Sequence, residues 1–255
     1  MDQKLPQHPG HQGFGAPPFA SSSTASTTEA RVTFLRKVYA LMTGAVLMSG
    51  VTAAIASTVG EPVAIRGGLS IPPLVAWFMM HPFLGFFMLL GGTMGASAVS
   101  RRPGLNVAAL FGLAGLVGFV IAPVIYFAQL KASAGATLSS APVLHAFGLA
   151  AAGFTGLSVY ALTTKRDFSA LGGFLGMGLF VVIAASVLNL FLGASVLSLA
   201  IASVTILLFG GFVLYDTQRM LREGDLAPVP AALHLYLNFL NLFLALLRIL
   251  SSGRR

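Results

Sequence analysis

Seven times along the chain, apolar residues run for about twenty positions before a charged or Pro/Gly-rich break. The runs cover about Phe34 to Val59, Leu74 to Val99, Leu105 to Phe127, Val143 to Leu162, Ala170 to Leu192, Ser195 to Asp216 and Ala231 to Leu250. About 20 helical residues cross the hydrocarbon core of a bilayer, so each run predicts a spanning helix. Proline punctuates two of them. His81-Pro82 in the second run predicts a kink or the true start of that helix, and Pro123 interrupts the third. Glycines at 91 and 95, at 172 and 176, and at 112, 115 and 118 are read as places where helices pack closely. A phosphate-cradling reading would need a strand before the glycines, and none is expected.

Residues 1–30 break the pattern. They are rich in Pro, Gly, Gln, Ser and Thr and cannot bury enough apolar surface to offset the cost of ordering. A disordered cytoplasmic tail over 1–30, followed by a seven-helix membrane domain over 31–255, is the expected division. About thirty polar residues before the first apolar run do not match a cleaved signal peptide.

Composition agrees with the pattern. Hydrophobic residues make up 56% and charged ones only 9%, where a soluble domain carries about 25% charged. The chain is read as an all-α integral membrane protein. With no cysteine, it has no disulfide, thiolate metal site or cysteine nucleophile. The net charge of +8 is scattered at the ends of apolar runs rather than gathered in a stripe with aromatics, which argues against nucleic acid as a partner.

Those basic residues set an expected orientation. Arg31, Arg36, Lys37, Arg101, Arg102, Lys165, Arg166, Arg219 and Arg222 fall on one side, against Arg66, Lys131, Arg248, Arg254 and Arg255 on the other. The richer side is read as cytoplasmic. The N-terminus is then inside, and seven spans put the C-terminus outside. The basic residues near the C-terminus pull the other way, as they would if the last helix were re-entrant.

The candidate chemistry centres on Asp216, the one acidic residue that directly follows a long apolar run. A carboxylate near the end of a membrane helix is costly unless paired, hydrated or protonated. The bland alternative is a solvated helix-end residue with Arg219 as its i+3 partner. His234 is a second titratable candidate, since an unperturbed histidine changes charge near neutral pH; being four residues past Pro230, it also reads as a residue at the membrane surface. His81 and His145 are read as packing or interfacial residues. Asn189 and Asn241 are expected to hydrogen-bond between helices.

Several stretches are similar to one family. Tyr160-Ala161-Leu162-Thr163-Thr164-Lys165-Arg166-Asp167 resembles the YGYTTKRDL signature of the bacterial branch of the Bax inhibitor-1 family, also called transmembrane Bax inhibitor motif proteins. Leu214-Tyr215-Asp216-Thr217-Gln218 matches its YDTQ box. Phe34 to Met42 and Leu235 to Phe243 resemble its first and last helices, so the likeness covers about 30 to 250. It implies seven helices with the last one central and wrapped by the other six. It also implies a pH-sensitive calcium leak or, in some bacterial members, inhibitory association with a membrane protease. Bacterial inner membrane is the implied location.

In that family the sixth-helix carboxylate faces an aspartate on the seventh helix, and the two share a proton. This chain has Asn238 at the matching position. An asparagine does not titrate, though it can donate a hydrogen bond to Asp216 or offer its carbonyl to a cation. The resemblance therefore implies a site of one carboxylate, Asp216, with Asn238, Arg219 and His234 around it. Calcium is the implied permeating ion, with Asp216 as its candidate ligand, and no cofactor is expected. Three functions follow: a pH-sensitive cation leak gated between the last two helices, a non-conducting regulator that restrains a membrane protease or other membrane protein, and a membrane-embedded enzyme. The enzyme has least support, because Asp216 has no acidic companion within a span and no HExxH or Gly-x-Ser-x-Gly box occurs.

Overall fold

The computed structural model describes residues 20–64, 70–133, 139–222 and 227–252, with side chains from residue 29 onward apart from that of Pro82. Most of the tail expected over 1–30, and the orienting residues Arg66, Arg254 and Arg255, lie outside the described residues. Eight helices follow one another: α1 (Ala20–Thr58), α2 (Pro73–Met80), α3 (Pro82–Val99), α4 (Leu105–Ala132), α5 (Ala141–Thr163), α6 (Leu171–Leu192), α7 (Ser195–Arg222) and α8 (Pro228–Ser252). Between α1 and α2, the two-residue strands β1 (Val63–Ala64) and β2 (Ser70–Ile71) pair antiparallel. The first helix starts at Ala20, ahead of the domain boundary expected at residue 31.

Among the described residues, six helices are long and apolar enough to cross a membrane, and α2 with α3 brings the number to seven if the bent pair counts as one broken span. That pair bends by 92° at His81-Pro82. The physical reason is local. Pro82 carries no N–H to continue the helical ladder, and His81 closes off α2 instead. Its backbone N–H donates to the Trp77 carbonyl at 3.1 Å, and its ring Nδ1 lies 2.9 Å from the same oxygen. His81 is thus occupied at a helix end, stacked 5.1 Å from the Trp77 ring.

The last helix is the most enclosed. Half of its apolar span is buried, compared with 11% for α6. Helices α1, α4, α5 and α7 pack closely against α8, while α6 lies against α7 and the bent pair α2–α3 against α4. Among the described residues α8 therefore has four helices packed against it, rather than the six implied by the family resemblance. Phe180 and Phe191 on α6 remain exposed, as suits a face turned to lipid.

The tightest approach of α1 to α4 is at a glycine. A Cβ on Gly118 would overlap the Thr52 hydroxyl and the Ser49 carbonyl, whereas Gly112, Gly91, Gly95 and Gly176 face open space. The close packing expected of all three glycine groups is met at Gly118 and at Gly172, which Tyr215 abuts.

The two most specific sequence stretches lock together at one end of the bundle. Gln218, buried near the end of α7, accepts a hydrogen bond from the Phe168 N–H at 2.9 Å and donates its amide to the Arg166 carbonyl. Just outside it, Arg222 pairs with Asp167 at 2.6 Å, and the Ser169 N–H donates to the same carboxylate at 2.8 Å. Arg222 and the Ser169 bonds hold the Asp167 carboxyl well below the usual carboxylate range. A lowered folded-state value contributes stability above the ordinary 3.8 and loses it as pH falls below that. Near neutral pH the contribution is constant, and it is small because the pair is about half exposed.

Two outcomes test this packing. Gly118→Ala is expected to lower stability by about 1–3 kcal/mol through overpacking, while Gly112→Ala leaves it unchanged or slightly raised; thermal midpoints in detergent measure both. Removing both Gln218 bonds costs about 1–3 kcal/mol of local order. Gln218→Ala is therefore expected to speed tryptic cleavage after Lys165 and Arg166 by about tenfold, and Asp167→Asn to do so far less. Equal rates would contradict the assignment of the clamp to Gln218.

Candidate functional site

The Asp216 carboxylate sits where α7 and α8 converge. Val213, one turn before it, is fully buried, and Asp216 itself is 8% exposed. Across the contact, the Asn238 amide donates from Nδ2 to Asp216 Oδ2 at 2.6 Å, a short charge-assisted bond within the protein. Asn238 is 5% exposed. The solvated helix-end alternative for Asp216 is thus replaced by a buried interhelical pair. Its neighbour Thr217 is fully buried, and its hydroxyl has no hydrogen-bond partner among the described residues. Unserved polar groups of this kind are uncommon in cores and often mark functional regions.

A second link fixes the α8 side of the pair. Tyr236, two residues before Asn238, is fully buried, and its hydroxyl lies 2.7 Å from that of Ser49 on α1. The Ser49 hydroxyl is also 3.0 Å from the Ala45 carbonyl and 2.8 Å from the Ala114 carbonyl on α4. Ser49 has one proton, which must serve a carbonyl, so Tyr236 is the donor to Ser49. Three helices thereby meet at one hydroxyl, close to the close approach at Gly118. The rotation of α8, and hence the aim of Asn238, is set by this junction.

The pair lies between two cavities. On the side of the basic loops, a cavity of about 200 Å³ is lined by Asp216 and Arg219 of α7, His234 of α8, and Ser97 and Arg101 at the end of α3. Arg219 and the exposed His234 are near enough to act on Asp216 electrostatically. Toward the other end, a cavity of about 700 Å³ is lined by Thr205 and Phe209 of α7 and by Asn241 and Arg248 of α8, among others. Phe209 is seven residues from Asp216, and Asn241 seven from His234, so about 10 Å of packed helix separates the two openings. Asp216, Asn238 and Val213 fill that barrier.

The four residues proposed from sequence therefore occupy one locality. Asp216 and Asn238 touch, while Arg219 and His234 border the cavity beside them. Asn189 and Asn241 act differently from expectation. Asn189 Oδ1 accepts from the Ala194 N–H at 3.1 Å, helping to close the turn at Gly193, and Asn241 Nδ2 donates to the Leu237 carbonyl at 2.8 Å within its own helix. Short local partners satisfied both amides. Among the described residues, no three His, Asp or Glu side chains gather as a metal site. Sequence reasoning missed Gln218, the Ser49–Tyr236 junction and the placement of Arg101. A glutamine two residues after a membrane carboxylate was a usable signal for the first, but nothing in the local pattern pairs Ser49 with Tyr236.

Comparison with known proteins agrees with this architecture. A family model described as inhibitor of apoptosis-promoting Bax1 matches residues 31–255. A Vibrio cholerae protein described as an uncharacterized membrane protein is 34% identical over 92% of this chain and 96% of its own length. Mouse protein lifeguard 4 is 32% identical over 92% of this chain and 91% of its own. The Escherichia coli protein named modulator of FtsH protease YccA is 31% identical over 69% and 80% respectively. A match of that extent, on a chain whose Tyr215-Asp216-Thr217-Gln218 stretch clamps its Thr164-Lys165-Arg166-Asp167 loop, makes this protein a multi-pass member of the Bax inhibitor family.

Proposed function

We propose that the chain is a gated cation leak, with calcium as the permeating ion and the α7–α8 contact as its gate. The observation that carries this reading is the Asn238–Asp216 bond of 2.6 Å, buried between a cavity lined by Arg219 and His234 and a second one lined farther along α7 and α8 by Phe209 and Asn241. Breaking one hydrogen bond and shifting α7 against α8 by a fraction of a turn would join the cavities. Calcium takes 6–8 oxygen ligands, and one carboxylate with one amide carbonyl falls short of that. The site suits transit rather than retention. The end bearing Arg101, Arg219 and the α5–α6 loop faces the cytoplasm in this reading, across a bacterial inner membrane.

The same geometry sets the resting state. Arg101 and Arg219 border the narrower cavity and repel an approaching dication, so the leak at rest is small. Protonation of Asp216 removes the charge that Asn238 serves and weakens the bond across the gate. With one carboxylate in place of two, pH dependence is shallower than in a proton-sharing pair.

A second reading draws on one relative. Because YccA is named as a modulator of FtsH protease, this chain would restrain a protease of the same membrane by contact. The residues before α1 are the natural contact segment. Deleting residues 1–19, which stops short of α1 at Ala20, leaves flux unchanged if the chain is a leak and abolishes restraint of the protease if it acts through the tail.

In proteoliposomes carrying a calcium dye, Asp216→Asn is expected to remove the pH dependence of flux. Asn238→Asp places two carboxylates at hydrogen-bond distance and is expected to make that dependence steeper. Profiles indistinguishable from the unaltered protein in both variants would overturn the gate.

A further inference from the structure

At the end of the bundle away from the Gln218 clamp, a groove of about 850 Å³ is walled by α4, α7 and α8. Its character changes along its length. Pro123, Val124 and Phe127 of α4 and Leu244 and Leu247 of α8 line the inner part. Eight residues beyond Pro123 stands Lys131, and Arg248, Ser251 and Ser252 follow the leucines of α8. At 1.5 Å per residue the change from apolar to cationic takes about 12 Å of helix. One leaflet of a bilayer offers about 15 Å of hydrocarbon, half of the full core. Val124 is 50% exposed, so the apolar part opens to the surroundings of the bundle.

The rim carries two cations that the protein does not answer. Lys131 and Arg248 are exposed, and neither side chain has a hydrogen-bond or ion-pair partner among the described residues. No acidic side chain is among the groove's described walls, and Glu61, just past α1, pairs with neither cation. The sequence directly after α4 and after α8, residues 134–138 and 253–255, contains no Asp or Glu. Two hydroxyls are free to join the cations. Ser195 and Ser198 of α7 line the groove without side-chain partners among the described residues, whereas Ser251 and Ser252 already donate to carbonyls of α8 at 2.6 Å. Lys131 and Arg248 also belong to the sparser set of basic residues, which the orientation rule leaves without a role.

We infer that this groove holds a phospholipid of net negative charge, with its phosphate at Lys131 and Arg248 and an acyl chain along Phe127, Val124 and Leu244. The arginine fork matches two phosphate oxygens and the lysine adds a point charge. Basic pockets between membrane helices suit anionic headgroups for this reason. A free phosphate would use the rim and leave the apolar wall uncovered. A zwitterionic headgroup would bring its own cation to a rim that offers it no carboxylate. Arg248 also borders the larger of the two cavities flanking the Asp216 contact. The lipid site nevertheless stands apart from the proposed leak, because its occupancy is read without flux.

The experiment uses the full-length protein in nonionic detergent at constant ionic strength, with no calcium present. Three probes are titrated: a short-chain phosphatidylglycerol, the phosphatidylcholine of the same chain length, and glycerol phosphate, which has the anionic headgroup without chains. Bound lipid is counted by native mass spectrometry, and the thermal midpoint is followed in parallel. Phosphatidylglycerol alone is expected to be retained and to raise the midpoint. Replacing both cations, Lys131→Gln with Arg248→Gln, is expected to weaken its binding by about tenfold or more through loss of charge-assisted bonds. Arg102→Gln, an exposed cation beyond α3 that does not line the groove, is the control and is expected to leave binding unchanged. Val124→Trp fills the apolar part without altering charge and is expected to weaken binding as well, on a side chain exposed enough for the variant to fold. Equal retention of the two lipids, a response to glycerol phosphate matching that to phosphatidylglycerol, or equal behaviour of the double variant and the Arg102 variant would overturn the site. So would a dimer mass in place of bound lipid, which would assign the groove to a second copy of the chain.

Discussion

A carboxylate inside a helical bundle has to be answered by something, and here the answer is one amide. The Asn238–Asp216 bond fixes where α7 and α8 touch and how α8 is rotated. An ionised side chain removed from water costs several kcal/mol unless its oxygens find donors. The surrounding structure is built to guarantee this one. Tyr236 anchors α8 to Ser49, Ser49 leans on the α4 backbone, and Gly118 lets α1 come close enough for that contact. Moving any of these would move Asn238 before it moved anything at the membrane surface.

The end of α7 serves two tasks with adjacent residues. Asp216 turns toward α8, and Gln218, two positions on, grips the α5–α6 loop through both ends of its amide. Residues two apart on a helix point about 200° apart, which is why one short stretch can reach opposite neighbours. A shift of α7 against α8 would therefore pull on the Arg166–Phe168 backbone. The clamp supplies a physical reason for two separated signature stretches to occur in one chain.

Much of the architecture was legible in the sequence because membrane solvent leaves few choices. Apolar runs of spanning length must be helices, since backbone groups in lipid have to be satisfied within the segment. The break at His81-Pro82 was readable from proline chemistry, although its 92° size was not. Asp216 and Asn238 were legible as a pair only through the family likeness, since the distance between them depends on tertiary packing. Asn189 and Asn241 were misjudged for an instructive reason. An amide in an apolar helix needs a partner, but a carbonyl one turn away or the N–H of a closing turn meets that need as well as another helix does. Arg101 looked like one of nine topology-setting charges, and its place beside α7 and α8 depends on tertiary packing.

Asparagine in place of a second carboxylate changes what the proposed gate can respond to. A pair of acids stores its own signal, because bringing two negative charges together forces them to share a proton. An amide facing an acid stores none. It holds the closed contact best while Asp216 is ionised, and the electrostatics of that state depend on whatever charge lies in the adjoining cavity. Arg219 of α7 and His234 of α8 border that cavity and act on Asp216 from the two helices of the contact. In the proposed leak Asp216 therefore carries the response to pH alone, because Asn238 does not titrate.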